Sequence, residues 1–320
     1  MIANRTCVIS STWEKGAGKP GTSQGPTRVL SLFESLGFSF EQTIEIRSND
    51  ESVDEFSSSA TQSNAEFNPI RHGQALTEHC IRLSSEVEEC TVNGMHSLIL
   101  SGDHSNAIGS VSGLCRALGG EHLGVIWIDA HLDLHSPFTT PSGNIHGMSV
   151  NALLEDDNQE SAIHTLKEEE ISIWKAIKKI KNGKPANCIL PEHLIFIGTR
   201  SYEEQEWKII QKHNILVITK EEIEAHGIQW MLKTVNERLE RCLYRYVSFD
   251  VDSLDSSISS ATGTPEANGL DLPTAKALLQ ALWNHPRTVS MEITEFNPSL
   301  PQPEKLEAAL LECFNGIDRQ

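Results

Sequence analysis

"LGVIWIDAHLDLH", residues 123–135, is an apolar run that closes with Asp129, His131 and Asp133 at alternate positions. Six apolar or small residues with no polar face read as a strand buried on both sides. That is the mark of a parallel sheet covered by helices rather than of an exposed hairpin. In such sheets ligands bind outside the carboxyl ends of the strands. The stretch therefore fixes the fold class and says where chemistry should lie.

The same rhythm extends in both directions. Residues 6–10, 97–102, 194–199, 215–219, 245–252 and 288–294 read as further strands. Helical spacing fills 27–37, 73–94, 107–119, 161–183, 203–214, 220–243, 272–285 and 303–316 between and after them. Alternating strands and helices predict an α/β protein with one doubly wound, mostly parallel sheet of about eight strands. No linker or internal repeat divides the chain, so 1–320 is expected to be a single domain. A polar, Ser-rich insertion is expected near 48–70. The Gly-rich loop at 15–26 lacks both G-x-G-x-x-G and a G-K-[ST] ending, and is not read as a phosphate cradle.

With 26 Lys plus Arg against 44 Asp plus Glu, the net charge is −18. That repels nucleic acid and acidic membrane surfaces and favours a cationic ligand. No run approaches the roughly 18 apolar residues of a membrane span. The first residues lack a basic flank followed by a long apolar stretch, so no secretory signal is expected and the cytoplasm is the expected location. Seven cysteines, with no C-x-x-C pair, predict buried thiols rather than a disulfide framework or a thiolate zinc site.

Four strands end in polar groups: Asp103 and His104; Asp129, His131 and Asp133; Asp250 and Asp252; Glu292 and Glu295. If the strands persist, alternation puts each set on one face. A single Asp after a strand is commonly a turn or capping residue, and Asp103 fits that description. Four close carboxylates, however, repel one another unless neutralised. No Lys or Arg lies within either D-x-H-x-D or D-x-D. Two divalent ions would match the −4 of Asp129, Asp133, Asp250 and Asp252. Carboxylates with a minority of imidazole suit a hard ion such as manganese, with zinc, iron and cobalt left open. Two such ions sit roughly 3.5–4 Å apart and hold a bridging hydroxide, which implies hydrolysis.

The strand-end motifs "SGDHS" (101–105), "DAHLD" (129–133) and "SFDVDSLD" (248–255) resemble those of the ureohydrolase family, and within it arginase, over nearly the whole chain. The resemblance implies a three-layer αβα fold and two Mn²⁺ per chain. Carried over by position, one ion is held by His104, Asp129, Asp133 and Asp250, the other by Asp129, His131, Asp250 and Asp252. It implies cleavage of L-arginine to L-ornithine and urea. Asp133, His146 and Glu295 would be the catalytic groups, with His146 the proton shuttle and Glu295 the partner of the guanidinium. His131, His135, Ser142, Asn144, Glu203, Thr264 and Glu295 would contact substrate. It further implies a small guanidino substrate, no nucleic-acid or membrane partner, and a homotrimer or homohexamer.

Three positions depart from the family pattern. Ser101 stands where a Gly is usual. His135 stands where arginases commonly have Asn. Glu203 stands where they carry an Asp that reads the α-amino group. Agmatine or formiminoglutamate are the alternative substrates. A non-catalytic metal-binding relative is disfavoured because all six ligand positions are filled. A nucleotide-binding protein would rest on fold analogy alone and lacks the phosphate loop.

Overall fold

The computed structural model describes residues 5–48, 67–154, 156–181 and 188–317. Most of the expected insertion, 49–66, lies outside these. In chain order the elements are β1 (Thr6–Ser11), α1 (Gly25–Ser35), β2 (Gln42–Ile46), α2 (Gly73–Val92), β3 (His96–Ser101), α3 (Ala107–Leu118) and β4 (Leu123–Ile128). Then follow α4 (Ser149–Leu154), α5 (Glu168–Lys178), β5 (Leu194–Ile197), α6 (Glu204–His213), β6 (Leu216–Ile218), α7 (Lys220–His226) and α8 (Ile228–Arg238). β7 (Tyr244–Asp250), α9 (Leu272–Trp283), β8 (Thr288–Thr294) and α10 (Pro303–Phe314) complete the order.

The eight strands form one sheet in the order β2-β1-β3-β8-β7-β4-β5-β6, and every pairing is parallel. Strand alternation splits the core into two apolar layers. Val125 and Trp127 of β4 join one layer with residues of α2, α3, α4 and α6. Ile126 and Ile128 join the other with residues of α1, α8, α9 and α10. Both faces are covered, as the unbroken apolar strands predicted.

The order has one consequence for function. β3, β8, β7 and β4 are consecutive neighbours at the centre of the sheet, although β3 and β4 come early in the chain and β7 and β8 late. Topology therefore brings the carboxyl ends of these four strands side by side at one edge of the sheet.

Four local expectations need correction. β2 was not foreseen: it is an edge strand whose residues are mostly exposed, so it carries no apolar run to betray it. The helix expected at 161–183 begins only at Glu168, where three acids in its first turn complement the helix dipole. The helix expected at 220–243 is two helices, because Gly227 adopts φ +82°, a conformation that L side chains rarely take. Cys115 and Cys188, 73 residues apart, form a disulfide where only thiols were expected. Nothing in the spacing of cysteines identifies such a pair, since the fold alone brings them together. Cys7, Cys80, Cys90, Cys242 and Cys313 are buried free thiols, as expected.

Two histidines, the buried His79 and the half-buried His96 with both ring nitrogens shut from solvent, give the fold an acid liability. Burial pushes His79 and His96 down from the usual 6.5 to about 4. Both ring nitrogens of His96 lack a hydrogen-bond partner among the described residues, and the ring packs 4.7 Å from that of Trp283. A depressed histidine pKa means that stability is full above the unfolded value and drains as pH falls from about 6.5 towards 4. His96→Phe is expected to recover about 2 kcal/mol of the stability lost at pH 4.5 relative to pH 7.5. Urea denaturation of both proteins in chelator at the two pH values measures it; parallel losses would count against the assignment.

Candidate metal centre

Neither of the acidic runs reaches its position by strand alternation. β4 ends at Ile128, and the chain then turns, with Asp133 at φ +52°. β7 ends at Asp250, and residues Val251–Ser253 form a single 3₁₀ turn. The convergence therefore comes from tight turns at the strand ends. The turns are held by the acids themselves. Asp129 Oδ1 accepts the His131 N–H at 2.7 Å, and Asp250 Oδ1 accepts the Asp252 N–H at 2.8 Å.

His104, which follows β3, completes the cluster. Its Nδ1 lies 3.0 Å from Asp129 Oδ2, 3.1 Å from Asp133 Oδ2 and 3.2 Å from Asp250 Oδ2. His131 Nδ1 lies 3.4 Å from Asp129 Oδ1 and 3.2 Å from Asp252 Oδ2. Two ligand groups result, His104–Asp129–Asp250 and Asp129–His131–Asp252, with Asp129 common to both. Asp250 belongs to the first group; its Oδ1 is occupied by the Asp252 amide.

The donor atoms fit divalent cations. His104 Nδ1 and Asp133 Oδ2 are buried with no hydrogen-bond partner among the described residues, although four side chains crowd the same point. Burial, reinforced by the neighbouring carboxylates, pushes the acids of Asp133, Asp250 and Asp252 upward. Burial would raise Asp129 too, but the neighbouring imidazoles of His104 and His131 outweigh it and lower it. Carboxylates so packed are poorly stable as anions until a cation neutralises them, and oxygen with minority nitrogen is the donor set of hard ions.

Around this cluster a layer of residues fixes the ligands, and sequence reading missed most of it. Trp127 stacks on His104 with ring centroids 4.0 Å apart, and its Nε1–H donates to Asp129 Oδ2 at 3.0 Å. Ser248 Oγ lies 2.7 Å from His104 Nε2. Thr264 Oγ1 donates to Asp252 Oδ2 at 3.0 Å. Metal-bound imidazoles and carboxylates usually have such outer partners. The signal was present, since Trp127 lies two residues before Asp129 and Ser248 two before Asp250. An apolar strand residue gives no hint, however, that its indole N–H is committed.

Asp103 is the capping residue that its position suggested. Oδ1 accepts the Ser105 N–H, and Oδ2 accepts the Gly16 and Ala17 N–H groups, which anchors the Gly-rich loop. Glu292 does not reach the site. It is buried within β8, accepting hydrogen bonds from Ser101 Oγ at 2.6 Å and Tyr246 Oη at 2.7 Å. The Ser101 departure is thus explained: its hydroxyl serves a buried carboxylate.

Arg200 was also unforeseen in its role. Its guanidinium donates to the carbonyls of Gly198, Asp252, Ser253, Leu254, Glu266 and Ala267, at 2.8–3.3 Å. It clamps the turn that carries Asp252 against the loop after Thr264. Arg200→Ala is expected to cost about 2–4 kcal/mol, since several carbonyls lose a charged donor. It should also weaken divalent-ion retention. Thermal unfolding and metal content after gel filtration test this together, and a variant unchanged in both would refute the clamp.

Beyond the cluster opens a pocket lined by His104, His131, Asp133, His135, Ser142, Asn144, His146, Glu203, Glu206, Asp250, Asp252 and Thr264. Glu295 adjoins it. Oε1 lies 3.0 Å from His146 Nδ1 and accepts the His104 N–H at 2.9 Å, whereas Oε2 is buried without a partner among the described residues. Burial opposes protonation of His146, yet the Glu295 carboxylate outweighs it and lifts His146 to about 9. At the outer end His135, Glu203 and Glu206 form a third group of potential ligands. Glu203 is lowered to about 2, chiefly by the hydrogen bond from His135, while burial raises Glu206 to about 8. Every residue carried over from the sequence motifs therefore lies in the cluster or on the pocket, save Glu295, which borders it through His146.

A model of the arginase family matches residues 4–313. Arginase-1 of Homo sapiens is 30% identical over 98% of this chain and 93% of its own. The native structure at pH 5.6 of the arginase from Bacillus caldovelox superposes with a TM-score of 0.80 at 27% identity, over 98% of both chains. Formimidoylglutamase from Bacillus subtilis, at 18% identity and a TM-score of 0.71, shares the fold over 97% of this chain and 85% of its own.

Proposed function

The chain belongs to the arginase family, and we propose on that footing that it hydrolyses the guanidinium group of L-arginine to L-ornithine and urea with two Mn²⁺ ions. One observation carries the reading above the others. Four buried carboxylates and two imidazoles meet around donor atoms that lack partners, beside a second buried carboxylate oxygen, Glu295 Oε2, suited to a cation. His104, Asp129, Asp133 and Asp250 would hold one ion, and Asp129, His131, Asp250 and Asp252 the other. When bound, such ions supply charge neutralisation and the Lewis acidity that makes water nucleophilic at neutral pH.

The protein groups then have distinct tasks. Glu295 Oε2 accepts the guanidinium N–H groups and presents the central carbon to the cluster, as a carboxylate does for a planar cation. Asp133 Oδ2 takes a proton from the attacking water and returns it to the departing amine. His146, with Nδ1 committed to Glu295 Oε1, keeps Nε2 for exchanging protons with solvent. Ser142 and Asn144 would hold the α-carboxylate, and Thr264 steadies Asp252.

Purified protein loaded with Mn²⁺ is expected to release urea from L-arginine, and to do so faster than from agmatine. It should release no formamide from formiminoglutamate. Equal or better turnover of either alternative would transfer the substrate assignment. We further propose a cytoplasmic homotrimer or homohexamer. Among the described residues no helix is long and apolar enough to cross a membrane. The Cys115–Cys188 bond is atypical of a reducing compartment, so its redox state in protein from intact cells bears directly on the location.

A further inference from the structure

We infer that His135 is a strut for Glu203 rather than a reader of the substrate, and that Glu203, at the position whose acid the family resemblance assigns to the α-amino group, depends on His135 to meet the ammonium end. The inference rests on the proposed arginine hydrolysis. His135 is almost wholly buried in the pocket wall. Its Nε2 lies 3.0 Å from Glu203 Oε2 and its Nδ1 3.1 Å from Thr139 Oγ1. An imidazole has two nitrogens, and both are engaged with the protein. No ring N–H remains for a substrate carboxylate, which is the task that the Asn usual at this position would perform.

Glu203, by contrast, keeps open capacity. Its side chain is 53% exposed, at the outer end of the same pocket. A carboxylate offers about four acceptor sites, and the contact with His135 leaves some of them facing solvent. Its backbone is fixed as well: the Glu203 N–H donates to Glu206 Oε2 at 3.0 Å, at the start of α6. Glu206, buried, accepts the Leu134 N–H through Oε1 at 3.0 Å, which ties this helix end to the loop that carries Asp133 and His135. The acid is thus pinned at a set distance from the metal cluster. Glu is one methylene longer than the Asp usual here, and an imidazole reaches farther than an amide. The two departures from the family pattern are one exchange: the longer acid needs a strut, and the imidazole supplies it.

Three guanidino compounds separate the possibilities. L-arginine carries an ammonium and a carboxylate at its far end, agmatine only the ammonium, and 5-guanidinopentanoate only the carboxylate. Steady-state kinetics on the Mn²⁺-loaded wild type, Glu203→Gln, His135→Ala, the double variant, and the pair His135→Asn with Glu203→Asp decide the matter. Glu203→Gln is expected to raise KM about tenfold or more for arginine and agmatine, with a smaller change in kcat and less than about a twofold change for 5-guanidinopentanoate. His135→Ala should show the same pattern more weakly and add nothing in the Glu203→Gln background. The Asn/Asp pair should return the arginine KM to within a few-fold of wild type. A His135→Ala effect confined to the two carboxylate-bearing compounds would overturn the inference, as would additive effects of the two single changes. If the wild type released urea from none of the three, the hydrolase reading would fail and this inference with it.

Discussion

Changing Asp129 and Asp250 together to alanine is expected to lower urea release from arginine by roughly 10⁴-fold or more, about 5.5 kcal/mol in the barrier at 1.36 kcal/mol per decade. Both acids point at His104 Nδ1, and Asp129 belongs to both ligand groups. Their loss removes two of the four negative charges and the two acids proposed to serve both ions. Elemental analysis should then find less than one manganese per chain. The same substitutions carry a second expectation. Without cations, the cluster forces mutually repelling carboxylates into a buried space, as the upward push on Asp133, Asp250 and Asp252 records. The double variant sheds part of that repulsion but also loses the hydrogen bonds that Asp129 and Asp250 accept, so its unfolding temperature should fall less in chelator than in Mn²⁺. Wild-type activity in the double variant would end the metal assignment. A variant destabilised equally in chelator and in Mn²⁺ would show instead that the acids are structural.

Glu295→Gln should cut kcat/KM for arginine by about 10²- to 10³-fold, with folding preserved, because glutamine can still accept the His104 N–H through its amide oxygen. What it cannot do is present a negative charge to a guanidinium. It also withdraws the charge that lifts His146 to about 9. The sign follows directly: once Glu295 is neutral, burial dominates and His146 gives up its proton at lower pH. The alkaline limb of the residual activity is therefore expected to move to lower pH than in the wild type. A pH–rate profile with an unmoved limb would remove His146 from proton exchange even if the loss of rate were as large as expected.

The difference between what could and could not be read from the chain has particular causes. The strands β3, β4 and β5 announced themselves because their central residues are apolar on both faces, and burial on both faces is the mark of a helix-covered parallel sheet. β2 did not, being a mostly exposed edge strand. The acids of the cluster were legible because carboxylates at the ends of apolar strands have no structural reason to accumulate without a cation. The means of their convergence was not legible. Alternation along a strand was the expectation, and tight turns at Asp133 and Asp252 are the fact.

The sequence by itself determined the fold class and the edge of the sheet where chemistry lies, and the resemblance of its motifs to a known family singled out the six candidate ligands among the strand-end polar residues. The fold class and the edge follow from patterns local to a strand and its first few following residues. Only the tertiary structure decided which residues support them: Trp127 beneath His104 and Asp129, Arg200 across the turns of 252–254 and 266–267, His135 bonded to Glu203. Those contacts join groups from separate strands and loops. Their existence depends on side-chain direction and on distances of about 3 Å, which topology and packing set and which no spacing along the chain encodes.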